Sequence, residues 1–268
     1  MLRILKKIKF NKNENRMSDV GAIEEIIKNY EKDKNENLKF LLSKRYLWMN
    51  KFIKDTDIGL EVGTGAGLSK KFISNKNLKI SDFSEHQHLD FKNVDAQKTS
   101  FDNNTFDYII AASMIHHIPY PIKFFHETHR ILKKGGKLII QEAYCSLVLQ
   151  LATILMKHEG FDFTIDPWSR TKPVTDENNV WSGNIAVTNL IFDNTKLFKE
   201  KTGHLYRMEH QKISECFVFL NSGGVCSTTF YIPLSRNLLK VLDKIDNFLT
   251  KYFPKIFALG RQIVLRKI

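Results

Sequence analysis

Glu61-Val62-Gly63-Thr64-Gly65-Ala66-Gly67 follows an apolar stretch, so a short strand ends at a carboxylate and breaks into a turn of alternating glycines. Glycine tolerates positive φ and lets a ligand lie directly against the backbone. If the residues after the turn open a helix, its first N–H groups are unpaired and face that ligand. Asp82 follows Glu61 by about 20 residues, the distance at which an acid accepts hydrogen bonds from a ribose diol. Asp95-Ala96 suits the amino group of an adenine. Ser113-Met114-Ile115-His116-His117 and Glu142 add groups that could move a proton.

These residues are useful only if something brings them together. Apolar segments at 58–62, 78–81, 91–94, 106–112 and 137–141 read as strands. Between and before them, helices are predicted over 20–30, 38–53 and 68–75, and another opens at Pro121 and closes at Lys133-Lys134-Gly135-Gly136. Strands alternating with helices imply a parallel sheet covered on both faces. Open parallel sheets bind ligands at the carboxyl ends of their strands, where Glu61, Asp82, Asp95, Ser113 and Glu142 all fall. After Glu142 the pattern loosens. Helices are expected over 144–157, 190–201 and 234–257, strands over 205–213 and 262–267, and a loop-rich insertion over 161–187. The division expected is a basic segment 1–37, a ligand-binding core 38–142, and residues 143–268 as a substrate cap that also completes the sheet.

The chain has 268 residues, 43% of them hydrophobic, which is enough for one large domain with an elaboration. Its formal net charge is +12, and the basic excess gathers at both ends. That balance admits nucleic acid, an anionic membrane or an acidic substrate as partner. Cys145, Cys216 and Cys226 show no CxxC spacing, which argues against a secreted disulfide scaffold and a structural zinc site. No apolar run is long enough to span a bilayer. Residues 1–10 are too short and too evenly charged for a signal peptide; they read as a frayed end or a small basic amphipathic helix on a membrane surface. A cytoplasmic protein, peripheral at the inner membrane face, is expected.

A dinucleotide fingerprint needs GxGxxG, and the position its third glycine would fill is Leu68. Glu61-x-Gly63-x-Gly65-x-Gly67 instead resembles the first motif of class I S-adenosyl-L-methionine (SAM)-dependent methyltransferases. Phe101-Asp102-Asn103-Asn104-Thr105-Phe106-Asp107, His116-His117-Ile118 and Arg130-Ile131-Leu132-Lys133-Lys134-Gly135-Gly136-Lys137-Leu138 are similar to further segments of the type-11 methyltransferase domain family. Lys134 departs from the proline usual there. The resemblance covers about residues 58–142. It implies a Rossmann-like, seven-stranded, mostly parallel α/β sheet with helices on both faces and a C-terminal cap. It also implies SAM held by Glu61, Gly63, Thr64, Gly65, Gly67, Asp82, Phe83, Asp95, Ala96, Ala112 and Ser113. Asp82 would hold the ribose, Phe83 the adenine face, Asp95 and Ala96 its edge and ring, and Ala112 and Ser113 the methionine end.

Methyl transfer from a sulfonium is an in-line displacement that needs alignment and exclusion of water, and no metal. A hydroxyl acceptor benefits from a base; His117, Glu142, Tyr144 and His158 are the candidates. Asp162, Asp166 and Trp168 would suit a sugar ring in the insertion. Residues 158–162, 166–168, 184–186, 190–192 and 222–225 resemble bacterial members found with surface-polysaccharide genes, which implies a sugar or lipid-linked saccharide as acceptor. A quinone or other lipid-like acceptor, or a SAM-binding module without catalysis, are the alternatives. An Asn/Asp-Pro-Pro-Tyr/Phe segment and paired catalytic cysteines are missing, which argues against nucleic acid.

Overall fold

The computed structural model describes residues 3–9, 23–31, 35–157, 159–179, 181–225 and 229–268. His158, Cys226 and the start of the helix expected over 20–30 lie outside them. In chain order the elements are β1 (Lys7–Ile8), α1 (Ile23–Glu31), α2 (Glu36–Tyr46), β2 (Gly59–Val62), β3 (Leu78–Ile80), β4 (Phe106–Ala112), α3 (Pro121–Ile131), β5 (Leu132–Ala143), α4 (Leu147–Met156), β6 (Phe161–Asp162), α5 (Val187–Phe192), α6 (Thr195–Thr202), β7 (Tyr206–Ser214), α7 (Phe217–Leu220), α8 (Arg236–Tyr252), α9 (Pro254–Phe257) and β8 (Gly260–Lys267).

The main sheet runs β3-β2-β4-β5-β8-β7. β3, β2, β4 and β5 are parallel, whereas β8 is antiparallel to both β5 and β7. Its central strands are apolar on both faces because helices cover both: Ile109, Ile110, Leu138, Ile139, Ile140, Val264 and Leu265 are fully buried. Phe124 and Phe125 of α3, Phe192 of α5 and Phe198 of α6 fill one side. Met49, Leu78, Tyr108 and Val264 fill the other. The chain leaves β2 toward β3 and then recrosses to β4. The sheet's topological switch therefore sits at the end of β2, where the glycine turn lies.

Several expectations are corrected. Among the described residues the sheet has six strands rather than seven. The segment expected as a strand over 91–94 makes only a parallel bridge between Phe91 and Ser81. Asn93 has φ +54°, which breaks the extension, and Asp90 spends its carboxylate on the Ile80 N–H. The helix expected over 68–75 is a single tight turn, Leu68–Lys71, entered from Gly67 at φ +65°. The helix expected over 190–201 divides at Asp193 and Asn194. Asn194 caps α6 through Leu197 N–H, and the Asp193 carboxylate pairs with Arg261, a fully buried guanidinium over the Tyr144 ring.

The N-terminus is neither frayed nor helical over residues 3–9. β1 pairs antiparallel with β6, Lys7 bridges to Asp162 at 2.7 Å, and Arg3 lies over the Phe163 ring. The beginning of the chain therefore fastens β6, and Asp162 is held in structure rather than at a ligand. Trp168 is also structural: it packs on Phe125 and Phe198, and Asp166 accepts its backbone N–H.

Candidate active site

One cavity of about 550 Å³ opens at the carboxyl ends of the parallel strands. Of the residues expected to hold a cofactor, Gly63, Thr64, Gly65, Asp82, Phe83, Asp95, Ala96, Ala112 and Ser113 line it. Glu61 and Gly67 lie behind the wall and shape the turn. Gly63 and Gly65 have φ of +63° and +54°. A Cβ at Gly63 would come 2.9 Å from the Met114 Cβ, whereas at Gly65 it would meet nothing nearer than Ile23 at 3.9 Å, so it would enter the cavity. Ser113 is also left-handed, at φ +54°, and is held there by its N–H to Gln141 O. Such strain is stored where a site requires it.

The turn spends its amides inside the protein. Thr64 N–H bonds Ser81 O, Gly65 N–H bonds Asp82 Oδ2 at 2.9 Å, and Gly67 N–H bonds Thr64 O. A pyrophosphate would want those donors. Instead the cavity presents the carboxylates of Asp82 and Asp95. Each is fixed by backbone: Asp82 by Gly65 and Ser84, Asp95 by Gln97. Phe83, 55% exposed, offers an apolar face at the rim. Glu61 accepts from the Thr64 and Ser69 hydroxyls, while its Oε1 is buried with no partner among the described residues. Burial, helped by Asp82 and opposed by those hydroxyls, pushes its carboxyl up to about 7. A cradle of two carboxylates and open glycine backbone fits SAM, a cation that carries a ribose and an adenine and no phosphate.

The opposite end of the cavity is lined by His116, His117, Glu142, Glu159 and Trp181. Glu142 Oε1 accepts from Ile115 N–H at 2.6 Å, and Oε2 faces His116 Nδ1 at 2.7 Å. His116 Nε2 lies 3.2 Å and His117 Nε2 3.4 Å from the Glu159 carboxylate. His117 Nδ1 faces the Ser182 carbonyl at 3.2 Å. Burial works against charge on His116, but Glu142 and Glu159 outweigh it and push the ring up to about 10. Burial, then the charge of His116, pulls His117 down to about 4. Glu142 is held below the usual carboxylate range: His116 and the backbone N–H groups outweigh its burial. Of the proposed bases, His117 and Glu142 thus stand at the cavity with their polar atoms engaged. Tyr144 lies under the Arg261 guanidinium.

Sequence reasoning picked the wrong tryptophan: Trp181, with Asp176 and Glu177 beside it, lines the cavity. Its signal was weak, because the insertion has no periodicity that would orient one residue inward. Gln97, which accepts Tyr120 N–H, and His88, whose Nε2 bonds Gly65 O at 2.8 Å, were also missed.

Residues 59–140 match the family model described as "Methyltransferase domain". The chain is 31% identical over 115 residues to a sterol 24-C-methyltransferase of Kluyveromyces lactis, an alignment covering 36% of this chain and 31% of that protein. It is 32% identical over 79 residues to a ubiquinone/menaquinone biosynthesis C-methyltransferase of Rickettsia felis, covering 30% and 32%. The chain thus spans about a third of the length of these relatives. Among solved structures, a SAM-dependent methyltransferase of Methanosarcina mazei is 17% identical, with a TM-score of 0.46 over 83% of this chain and 98% of that one. Over residues 59–140, the chain is thus similar to a methyltransferase domain.

Proposed function

We propose that the chain transfers the methyl group of SAM to a hydroxyl of a sugar or lipid-linked saccharide. The observation that carries the reading is that one cavity joins the glycine turn, Asp82 and Asp95 to a polar end walled by His116, His117, Glu142, Glu159 and Trp181. When bound, SAM supplies an electrophilic methyl carbon on a sulfonium. The chain's residues supply position. Asp82 holds a ribose diol, Asp95 and Phe83 fix the adenine, and Ala112 and Ser113 leave room beside the methionine end. Alignment of this kind supplies much of the catalysis of a displacement. At the polar end His117, neutral near pH 7, and Glu159 stand where an acceptor's proton would leave, while Glu142 orients His116. Trp181 gives a flat face to a sugar ring, and Asp176 and Glu177 give acceptors for its hydroxyls.

Membrane-proximal work is supported by α8. Leu238, Val241, Ile245, Phe248 and Tyr252 recur at helical spacing and stay exposed, on a helix that also carries Lys240, Lys244 and Lys251. An exposed apolar stripe flanked by cations suits an anionic membrane surface. Among the described residues no helix is long and apolar enough to cross a membrane. A second reading, a quinone or other lipid-like acceptor, is favoured by what the relatives are named for: a sterol, a quinone, and phosphatidylethanolamine in a Cereibacter sphaeroides enzyme. Mass spectrometry of lipid-linked saccharides and of quinones, from cells with and without the protein, separates the two. A methyl missing from the saccharide supports the first; a methyl missing only from the quinone transfers the assignment to the second.

A further inference from the structure

The His116, His117 and Glu159 cluster poses a problem of lone pairs. Glu142 accepts backbone N–H bonds on both carboxylate oxygens, from Ile115 on Oε1 and from Ala143 on Oε2, so it is a carboxylate and His116 Nδ1 donates to it. Ser182 O is a carbonyl, so His117 Nδ1 donates as well. With a hydrogen on each Nδ1, the two neutral rings turn their Nε2 lone pairs toward the oxygens of Glu159. Three electron-rich groups then converge in a buried place. Protonating His116 relieves one contact and leaves His117 Nε2 against a carboxylate oxygen.

We propose that His116 Nε2, His117 Nε2 and the Glu159 carboxylate bind one divalent transition-metal ion at the acceptor end of the cavity. The ligand atoms lie within 4.8 Å of one another, and the nitrogen–oxygen separations are 3.2 and 3.4 Å. Ligands at about 2.1 Å from a metal stand about 3.0 Å apart at the right angles of an octahedron and about 3.4 Å apart at tetrahedral angles. The two nitrogen–oxygen separations, one to each oxygen of Glu159, match neighbouring positions of a coordination shell, and a small inward shift of the side chains completes it. Charge agrees: a dication with two neutral imidazoles, Glu159 and Glu142 sums to zero.

Glu142 holds His116 as a carboxylate beyond a metal-bound histidine does, fixing the tautomer that leaves Nε2 free. Gly183 leaves the space that Glu159 fills, since a Cβ there would stand 2.8 Å from the Glu159 Cδ. Two imidazoles and one carboxylate suit Zn²⁺, Fe²⁺, Co²⁺ or Mn²⁺ rather than Ca²⁺. Three protein ligands leave the cavity side of the ion open. On the methyl-transfer reading, that side takes an acceptor oxygen and polarises its hydroxyl, replacing direct proton uptake by His117 and Glu159; metal binding itself does not depend on that reading.

The test is calorimetric titration of the chelator-stripped protein with Zn²⁺ and with Mn²⁺, together with Co²⁺ absorption spectra, all without SAM. One equivalent should bind. Affinity should fall at least 100-fold in Glu159→Gln and in His117→Ala, and about 10- to 100-fold in Glu142→Gln. SAM binding by each variant, measured separately, shows that it has folded. No saturable metal binding by wild-type protein that still binds SAM overturns the proposal and leaves the methyl-donor reading standing. Undiminished metal affinity in folded Glu159→Gln and His117→Ala overturns it too, because the metal is then held elsewhere.

Discussion

Glu61 links the cofactor turn to stability in a way that pH can read. Its carboxyl is buried beneath the glycines, and burial raises it to about 7, against an ordinary value of 4.5. Between those values the folded state holds the proton and the unfolded chain releases it. A native state that binds more protons loses stability as pH rises. The contribution of Glu61 is therefore complete below about pH 4.5 and gone above about 7. At 1.36 kcal/mol per pH unit the whole span is worth about 3 kcal/mol; between pH 5 and pH 8 most of it, about 2.5 kcal/mol, is crossed. Urea unfolding of wild type and Glu61→Gln at both pH values isolates the effect. The amide keeps an acceptor for Thr64 and Ser69 but does not titrate. Wild type should lose about 2–3 kcal/mol more than Glu61→Gln between pH 5 and pH 8. Saturating SAM should flatten the wild-type dependence, because a nearby cation favours the carboxylate. Equal pH dependence in the two proteins would show that Glu61 is already ionised in the fold and would refute the reasoning.

Other consequences follow from the same geometry. Asp82→Ala removes the charged acceptor proposed for the ribose and the partner of Gly65 N–H; SAM affinity should fall about 100-fold by calorimetry, at about 1.5–3 kcal/mol per hydrogen bond to a charged group. Gly63→Ala must place a Cβ at φ +63° against Met114, so thermal unfolding should show a loss of at least about 1–2 kcal/mol. Gly65→Val should instead show its larger effect on SAM affinity, because its side chain enters the cavity. Asp246 accepts the N–H groups of Cys216, Phe217 and Val218 from within α8, and Asp246→Ala should cost about 3 kcal/mol in unfolding experiments by leaving buried donors unpaired. Phe248→Ser on α8 should reduce sedimentation with anionic vesicles, and added salt should weaken what remains.

How much could be read beforehand differs from place to place for physical reasons. Ile109–Ala112 of β4, Leu138–Ile140 of β5 and Ile263–Leu265 of β8 are short apolar runs in strands covered on two faces, and such runs announce themselves. Residues 91–94 carry the same look in miniature, yet Asn93 and the neighbouring acids turn the chain away after one bridge. The glycine turn, Asp82 and Asp95 sit at strand ends, so topology alone brings them together. The polar end is different. Glu159 meets His116 and His117 because Gly160 bridges to Asn184, whose N–H bonds His116 O, and β1 pairs with β6 alongside; Lys7 and Ile8 gave no sequence sign of that pairing. Trp168 and Trp181 looked alike in an aperiodic insertion, and packing against Phe125 and Phe198 drew the first into the core.

The central claim is that the cavity at the end of β2 binds SAM. Calorimetry of the purified chain with SAM and, separately, with NAD tests it most directly. The account predicts saturable binding of SAM at one site, lost in Asp82→Ala, and none of NAD. Binding of NAD without binding of SAM would contradict it.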